Sequence, residues 1–271
     1  MSPMNNRLLV PRKVPGLLDL VPGAAAAYSL RSLSRSYADP VVTVRRSSDD
    51  DEASFTASEV ADGTLAAFCG AGDGFVYRWW DQSGNARHAV AAADTNEPKI
   101  VDSGVVVTEE GKPAIQFDGV DDALLIATIS ALSPWSVFEV KRRNAVGGIG
   151  LVLGKTSSGA GVYSAWEFSD NKTYFRNRAG YITVDSSFAS QNIFSGFSAS
   201  DDASALTLYR NGAIAASSAT TGATSTDFNA IGQINGTTFG AGTFQELVFY
   251  PSDLTEQREL VEGIIAWGYS V

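Results

Sequence analysis

Cysteine and histidine are almost absent from this sequence, and their scarcity excludes several kinds of site. Cys69 is the single cysteine among 271 residues, and His88 is the single histidine. No disulfide can therefore form within the chain, and a zinc centre built on two or three histidines is excluded. The residues before Cys69 are apolar, which predicts a buried and unreactive thiol. A Ser-His-Asp triad would need His88, and no Gly-x-Ser-x-Gly string precedes a predicted helix.

Positive charge and long apolar runs are also scarce. The chain carries 20 Lys and Arg against 30 Asp and Glu, a formal net charge of −10. Such an acidic chain repels nucleic acid and anionic membranes, so we expect neither as a partner. No apolar run approaches the length of a membrane-spanning helix. Arg12, Lys13 and Asp19 interrupt any signal-peptide core near the start, which predicts synthesis in the cytoplasm without a signal peptide.

The first 23 residues predict an extended N-terminal arm. They contain four prolines, which fix φ and withhold an N–H, and they show little apolar periodicity. Arg7, Arg12 and Lys13 make this segment slightly basic, which has two interpretations: a solvated tail, or an anchor on a larger particle. Residues 24–271 then form one domain, because neither a repeat nor a change of composition marks a second boundary.

The rest of the chain predicts a mostly β domain. Residues 24–37 carry apolar side chains at helical spacing, and a short helix is expected over residues 64–68. From Gly74 onward, short β segments alternate with turn-forming strings. Asn211-Gly212 predicts a hairpin because both residues tolerate positive φ. The chain ends in an amphipathic helix that Thr255 is expected to cap. Many short strands between turns predict a β-sandwich or a β-barrel.

Three strings resemble the concanavalin A-like, laminin-G-like domains of bacteria and phages. They are residues 111–122 (GKPAIQFDGVDD), residues 208–212 (LYRNG), and residues 246–250 (ELVFY) followed by the end helix. This resemblance implies a concanavalin A-like jelly-roll β-sandwich with short N-terminal helices and a C-terminal helix.

A second set of strings resembles the catalytic domain of the fungal α-L-arabinofuranosidase B family. It includes residues 44–50 (VRRSSDD), 80–85 (WDQSGN) and 242–246 (GTFQE). The family has an adjacent Cys-Cys pair in its sugar pocket, whereas this chain has only Cys69. The family's catalytic carboxylate and nucleophile would fall within residues 233–240 and 174–179, and neither segment contains Asp or Glu. Since a retaining glycosidase needs two carboxylates about 5 Å apart, the resemblance implies the scaffold without its chemistry.

The same strings occur in phage structural proteins, and this resemblance implies a non-enzymatic virion protein. Capsid decoration, head fibre and tail adhesin are the expected roles, with the protein located in the virion. The arm would bind other virion proteins, host-surface polysaccharide is a candidate ligand, and a homo-oligomer is expected. Two alternatives stay open. One is a free carbohydrate-binding lectin module, and the other is a glycoside hydrolase, which requires two carboxylates in one cleft.

Aromatic residues and glutamates supply candidate sugar-binding residues. Trp79, Trp166 and Tyr174 are candidates to stack on sugar rings, with Glu167 beside them to bind hydroxyls. Packing in the core is the alternative for the aromatic residues. Glu139 and Glu167 are also candidates for a catalytic acid and nucleophile, and the alternative is a solvent-facing residue on a half-buried strand.

Three aspartates supply the candidate metal site. Asp118, Asp121 and Asp122 could bind Ca²⁺, because loop carboxylates are ligands that calcium prefers. Their spacing is not that of an EF-hand, and turn formation is the alternative. No other cofactor is expected.

Overall fold

The computed structural model describes residues 14–132, 134–143, 153–154, 163–167, 172–176, 181–185, 192–198, 204–220 and 225–269. Strands dominate these residues. Strands β1 to β12 are Ala26–Ser29, Val42–Arg46, Glu52–Phe55, Gly74–Trp79, Ala89–Ala91, Lys99–Asp102, Val105–Val106, Thr108–Glu109, Lys112–Pro113, Ile115–Asp118, Leu124–Leu132 and Trp135–Arg143. Strands β13 to β23 are Leu153–Gly154, Tyr163–Glu167, Lys172–Arg176, Tyr181–Asp185, Asn192–Ser198, Ser204–Arg210, Ala213–Thr220, Ser225–Ile231, Gln233–Ile234, Thr238–Phe239 and Ala241–Tyr250. Helices α1 to α4 are Leu17–Leu20, Ala57–Ala61, Thr64–Cys69 and Arg258–Tyr269, and short 3-10 turns lie at Asp94–Asn96 and Thr255–Gln257.

Strand β23 joins the two halves of the fold. It pairs with β12 along one edge and with β1 and β10 along the other. Its side chains are buried on both faces of the sheet, and they include the polar residues Thr243, Gln245 and Glu246 as well as apolar ones. Leu247 and Phe249 enter a large inner core, and Val248 and Tyr250 enter a smaller outer core.

The other strands extend from β23 in two directions. Antiparallel pairs lead from β10 through β6, β4, β5 and β11 to β20. A second series leads from β12 through β17 and β18 to β19. The inner core lies between them, with Trp79, Trp135, Phe117 and Phe228 fully buried. The prediction of a mostly β sandwich is therefore confirmed.

The predicted C-terminal helix is confirmed as α4, which covers the outer core. Val261 and Ile265 are fully buried against it. The neighbouring Leu260 is 49% exposed. Thr255 donates its hydroxyl to Asp253 within a 3-10 turn and does not cap α4. No helix in the described part of the chain is long and apolar enough to cross a membrane.

The helix predicted over residues 24–37 is wrong. Ala26–Ser29 form strand β1, with Ala26 opposite Phe249 and Ser29 opposite Glu246. All four residues are buried, so pairing with β23 outweighs the local helical spacing. The short helix predicted over residues 64–68 is present as α3.

The described part of the predicted arm is packed on the domain. Residues 17–20 form helix α1 rather than an extended segment, and Leu17 is fully buried in the outer core. The carboxylate of Asp19 accepts hydrogen bonds of 2.8 Å from the backbone N–H groups of Gly16 and Arg35. Residues 14–23 are thereby fixed to the chain that follows β1.

A buried ion pair joins β23 to the N-terminal strand and to α4. The guanidinium of Arg31 donates to both carboxylate oxygens of Glu246, at 2.8 and 2.9 Å. Ser29 donates its hydroxyl to the same carboxylate at 2.9 Å, and the Tyr269 hydroxyl lies 3.1 Å from it. Glu246 is fully buried, so these partners are needed to offset the cost of removing its carboxylate from water.

We expect Arg31→Met to destabilise the fold by about 3–5 kcal/mol, because it leaves the buried Glu246 carboxylate without its cation. The measurement is the free energy of unfolding in urea. Arg35→Met is the control, since Arg35 is 49% exposed at its side chain and lies 3.9 Å from Asp19. An exposed pair of this kind contributes less than about 1 kcal/mol. Equal losses in the two variants would contradict the assigned role of Arg31.

Candidate functional site

The described residues form an acidic cleft of about 520 Å³ beside β4, β6 and β10. The ring of Phe75 lies in it between two cations, 5.2 Å from the Arg45 guanidinium and 5.9 Å from the Lys99 ammonium. Carboxyl groups outnumber these cations, so the cleft is suited to proton transfer or to binding a cation. The carboxyl groups lining it belong to Asp94, Glu97, Asp102, Asp118, Asp121 and Asp122.

Two loops bring most of these carboxyl groups together. One follows β5 and contains Asp94–Asn96, and the other joins β10 to β11. The side chain of Asn96 donates to the carbonyl of Asp121 at 2.8 Å, and the N–H of Ala123 donates to the carbonyl of Asn96 at 3.0 Å. These bonds fix the two loops side by side, although they are about 25 residues apart in sequence.

Glu97 is the most deeply buried carboxyl group of the cleft, at 3% exposed. Its Oε2 accepts from the Arg45 Nε at 2.8 Å, and its Oε1 is buried without a hydrogen-bond partner among the described residues. Burial raises the pKa of Glu97 to about 7; Arg45 opposes this shift, and the charges of Asp94 and Glu52 add to it. Glu97 is therefore partly protonated at neutral pH, because burial disfavours its charged form.

The three predicted calcium ligands lie together. Asp118, Asp121 and Asp122 each offer a carboxylate oxygen, and these oxygens lie within 4.8 Å of one another. The same residues form a turn, because Asp122 accepts the N–H of Asp118 at 2.8 Å and Asp118 accepts that of Val120 at 2.7 Å. Burial, with the charges of Asp118 and Asp121 adding to it, raises the pKa of Asp122 to about 7. Calcium binding here stays a prediction.

Trp79 does not fit the predicted sugar-binding role. It is fully buried in the inner core, with its ring centroid 5.6 Å from that of Tyr28 and 6.5 Å from that of Phe244. Alternation along β4 turns Trp79 inward, so it cannot reach a ligand. The next residue, Trp80, is half-buried and packs on His88 with centroids 4.5 Å apart.

Trp166, Glu167 and Tyr174 lie on two paired strands, β14 and β15. Trp166 is opposite Tyr174 in the register, and Glu167 is opposite Thr173. Their side chains lie outside the described residues, so their sugar-binding roles stay predictions. The residues predicted to anchor the arm also lie outside the described residues; they are Arg7, Arg12 and Lys13.

The carboxylates implied by the arabinofuranosidase resemblance are missing from the described residues of the two segments. The loop over residues 233–240 contains Asn235 in the left-handed region, at φ 55°, with its Oδ1 buried and unpartnered among the described residues. Residues 174–176 contain no carboxylate, and residues 177–179 lie outside the described residues. Glu139 is 1% exposed and lies 3.2 Å from the Lys141 ammonium, so it is not the solvent-facing residue considered from the sequence.

The sequence reasoning did not identify Glu97 or Asp94 as site residues. The one local feature that could have drawn attention to Glu97 is its position directly before Pro98 and the buried strand β6. Its burial depends on the loop between β10 and β11, which only the tertiary structure places beside it.

The fold is shared with solved glycoside hydrolases. A mutant of a GH54 α-L-arabinofuranosidase soaked with 4-nitrophenyl α-L-arabinofuranoside matches with a TM-score of 0.68 and 19% identity, over 90% of this chain and 62% of that chain. An arabinofuranosidase complexed with arabinofuranosyl-α-1,2-xylobiose matches with a TM-score of 0.63 and 18% identity, at the same coverage. A Trypanosoma rangeli sialidase matches at 14% identity and a TM-score of 0.47, over 71% of this chain and 31% of that chain. No protein-family model and no curated protein sequence matches the chain.

The two arabinofuranosidase structures establish that this chain has a glycosidase-like β-sandwich fold. They overturn the expectation of a non-enzymatic virion protein, because the structures that match 90% of this chain are arabinofuranosidases. The chain spans 62% of the length of the arabinofuranosidase chains. Membership of the concanavalin A-like superfamily stays a prediction.

We expect Glu97 and Asp122 to make the fold less stable as pH rises from about 4 to about 7. Their pKa values are about 7 in the folded chain and 4.5 and 3.8 ordinarily. The folded state therefore binds more protons across this range, and the stability gained below the ordinary pKa is lost as pH rises through 7. Urea unfolding at pH 5 and pH 8 measures the effect.

In the wild type, the free energy of unfolding should be smaller at pH 8 than at pH 5. Glu97→Gln and Asp122→Asn should each reduce this difference, because each removes one group with a raised pKa. Asp51→Asn is the matched control, since Asp51 is 61% exposed at its side chain and lies outside the cleft. If all three variants keep the wild-type pH dependence, the raised pKa values of Glu97 and Asp122 are wrong.

Proposed function

We propose that this protein is a glycoside hydrolase that works in the acidic cleft, with Glu97 as its proton donor. The observation that carries the proposal is the arrangement of Glu97. Its Oε1 is buried and unpartnered within the described residues, and it lines a cleft with further carboxyl groups. The fold shared with GH54 arabinofuranosidases supports the reaction class.

Hydrolysis of a glycoside needs one acid and one carboxylate. In the proposed reaction, Glu97 gives its proton to the glycosidic oxygen as the bond from that oxygen to the anomeric carbon breaks. Water attacks the anomeric carbon and passes a proton to Asp94. The products are a free alcohol and a sugar hemiacetal, and transfer of the proton from Asp94 to Glu97 through solvent restores the pair.

Asp94 is suited to the second role because it is exposed and lines the same cleft as Glu97. Its negative charge contributes to the raised pKa of Glu97. Two carboxyl groups with different surroundings can divide acid and base roles in this way. Placing the chemistry here also accounts for the absence of a carboxylate in the described loop over residues 233–240.

The first substrate to test is 4-nitrophenyl α-L-arabinofuranoside, the compound with which the GH54 enzyme was soaked. We expect Glu97→Gln to reduce release of 4-nitrophenol about 100-fold or more, because general acid catalysis contributes about 10²–10⁴-fold. The amide oxygen of Gln can still accept from Arg45, so the fold should be retained. Asp94→Asn should also reduce the rate, and Asp51→Asn is the control that should not.

Two results would contradict the proposal. One is an equal rate of 4-nitrophenol release in wild type and Glu97→Gln, which would show that Glu97 is not the proton donor. The other is no release from the arabinofuranoside or from 4-nitrophenyl xyloside, glucoside and galactoside, which would leave the fold without hydrolytic activity.

A further inference from the structure

A second pocket, of about 450 Å³, lies between the tip of the β18–β19 hairpin and helix α4. The hairpin contributes Asn211 and Gly212, and the helix contributes Arg258, Glu262 and Gly263. The described residues that line this hairpin–helix pocket do not line the acidic cleft. Its volume lies within the range of about 300–1,000 Å³ that is typical of small-molecule sites.

Glu262 gives the pocket an unused hydrogen-bond acceptor. The residue is 8% exposed, and its Oε2 is paired with Arg258. Its Oε1 is buried and has no hydrogen-bond partner among the described residues. A buried acceptor without a partner is costly, so a ligand that donates an O–H or N–H to Oε1 would be stabilised there.

The surrounding charges favour a neutral ligand. The guanidinium of Arg258 is paired with Glu262, lies 4.2 Å from the centroid of the Tyr209 ring and donates to Glu259 at 3.2 Å. This cation opposes a positively charged ligand. The carboxylates of Glu259 and Glu262 oppose a negatively charged one. A neutral molecule with several hydroxyls can use the acceptor and the guanidinium together.

The pocket also has room and an apolar lining. A Cβ added at Gly263, in the middle of α4, would meet no atom of the described residues within 4 Å. Ile193 and Ala266 contribute apolar surface beside the polar groups. Apolar surface next to a carboxylate and a guanidinium suits a sugar, which has carbon faces as well as hydroxyls.

We propose that the hairpin–helix pocket binds one saccharide unit, at a site separate from the acidic cleft. A sugar hydroxyl donates to the Glu262 Oε1, and Arg258 donates to a neighbouring hydroxyl oxygen. Such a site would hold part of a glycan on the α4 side of the sandwich, and it does not depend on hydrolysis in the cleft.

The test is saturation-transfer NMR on the full chain with L-arabinose, D-xylose, D-galactose and D-glucose. Each sugar is used at about 20 mM, where a site with a Kd near 1 mM is almost filled. At least one sugar should give a signal that disappears in Gly263→Leu, whose side chain enters the pocket. Leucine has the higher helix propensity, so α4 should be retained.

Glu262→Gln should weaken binding of the same sugar about tenfold, since it replaces a charge-assisted hydrogen bond by a neutral one. Glu256→Gln is the matched control, because Glu256 is exposed in the 3-10 turn just before α4 and does not line the pocket, and it should bind as wild type does. Glu97→Gln should also bind normally, which separates this site from the acidic cleft.

The proposal is overturned if none of the four sugars gives a signal, or if the signal persists in both Gly263→Leu and Glu262→Gln. Loss of the signal in Glu97→Gln alone would assign sugar binding to the cleft instead. The melting temperature of each variant shows whether it is folded. If Gly263→Leu is unfolded, the comparison of Glu262→Gln with Glu256→Gln decides.

Discussion

Strand β23 is buried on both faces and paired on both edges, and the architecture depends on this double constraint. Leu247 and Phe249 must find apolar partners in the inner core, while Val248 and Tyr250 must find them in the outer core. A sheet strand with apolar side chains on both faces requires a layer on each side. The strand series that leads from β10 to β20 supplies one layer, and α1 and α4 supply the other.

The same constraint explains the buried charge in this structure. Glu246 points to the outer side of β23, where α4 and the segment after β1 exclude water. Its carboxylate is tolerable only because Arg31 donates to both of its oxygens and the hydroxyl of Ser29 adds a third bond. Removing charges from water is costly, and paired hydrogen bonds offset that cost. The network thereby couples three parts of the chain that are far apart in sequence.

The two candidate sites lie outside the two cores, largely on loops and on α4. Side chains there need not be apolar, because they do not pack in either core. The acidic cleft forms where the loop after β5 meets the loop between β10 and β11, and the bonds made by Asn96 fix their positions. The hairpin–helix pocket forms where α4 approaches Asn211 and Gly212. Most functional groups of the two sites lie on loops and on α4, and the strands of the scaffold fix the positions of these segments.

Local sequence signals determined much of the fold. Asn211-Gly212 forms the predicted hairpin, with φ of 48° and 82°, because these residues tolerate the left-handed region at little cost. The amphipathic pattern at the end of the chain determined the C-terminal helix α4, and Asp118, Asp121 and Asp122 determined a tight acidic turn. Only the tertiary structure decided that residues 26–29 form a strand, that Trp79 lies in the core and that Glu97 faces a cleft. Each of these outcomes depends on a residue distant in sequence: Phe249 for the strand, Phe244 for Trp79 and Asp121 for the cleft. A local sequence pattern does not contain such long-range pairing and burial, which outweigh local preferences.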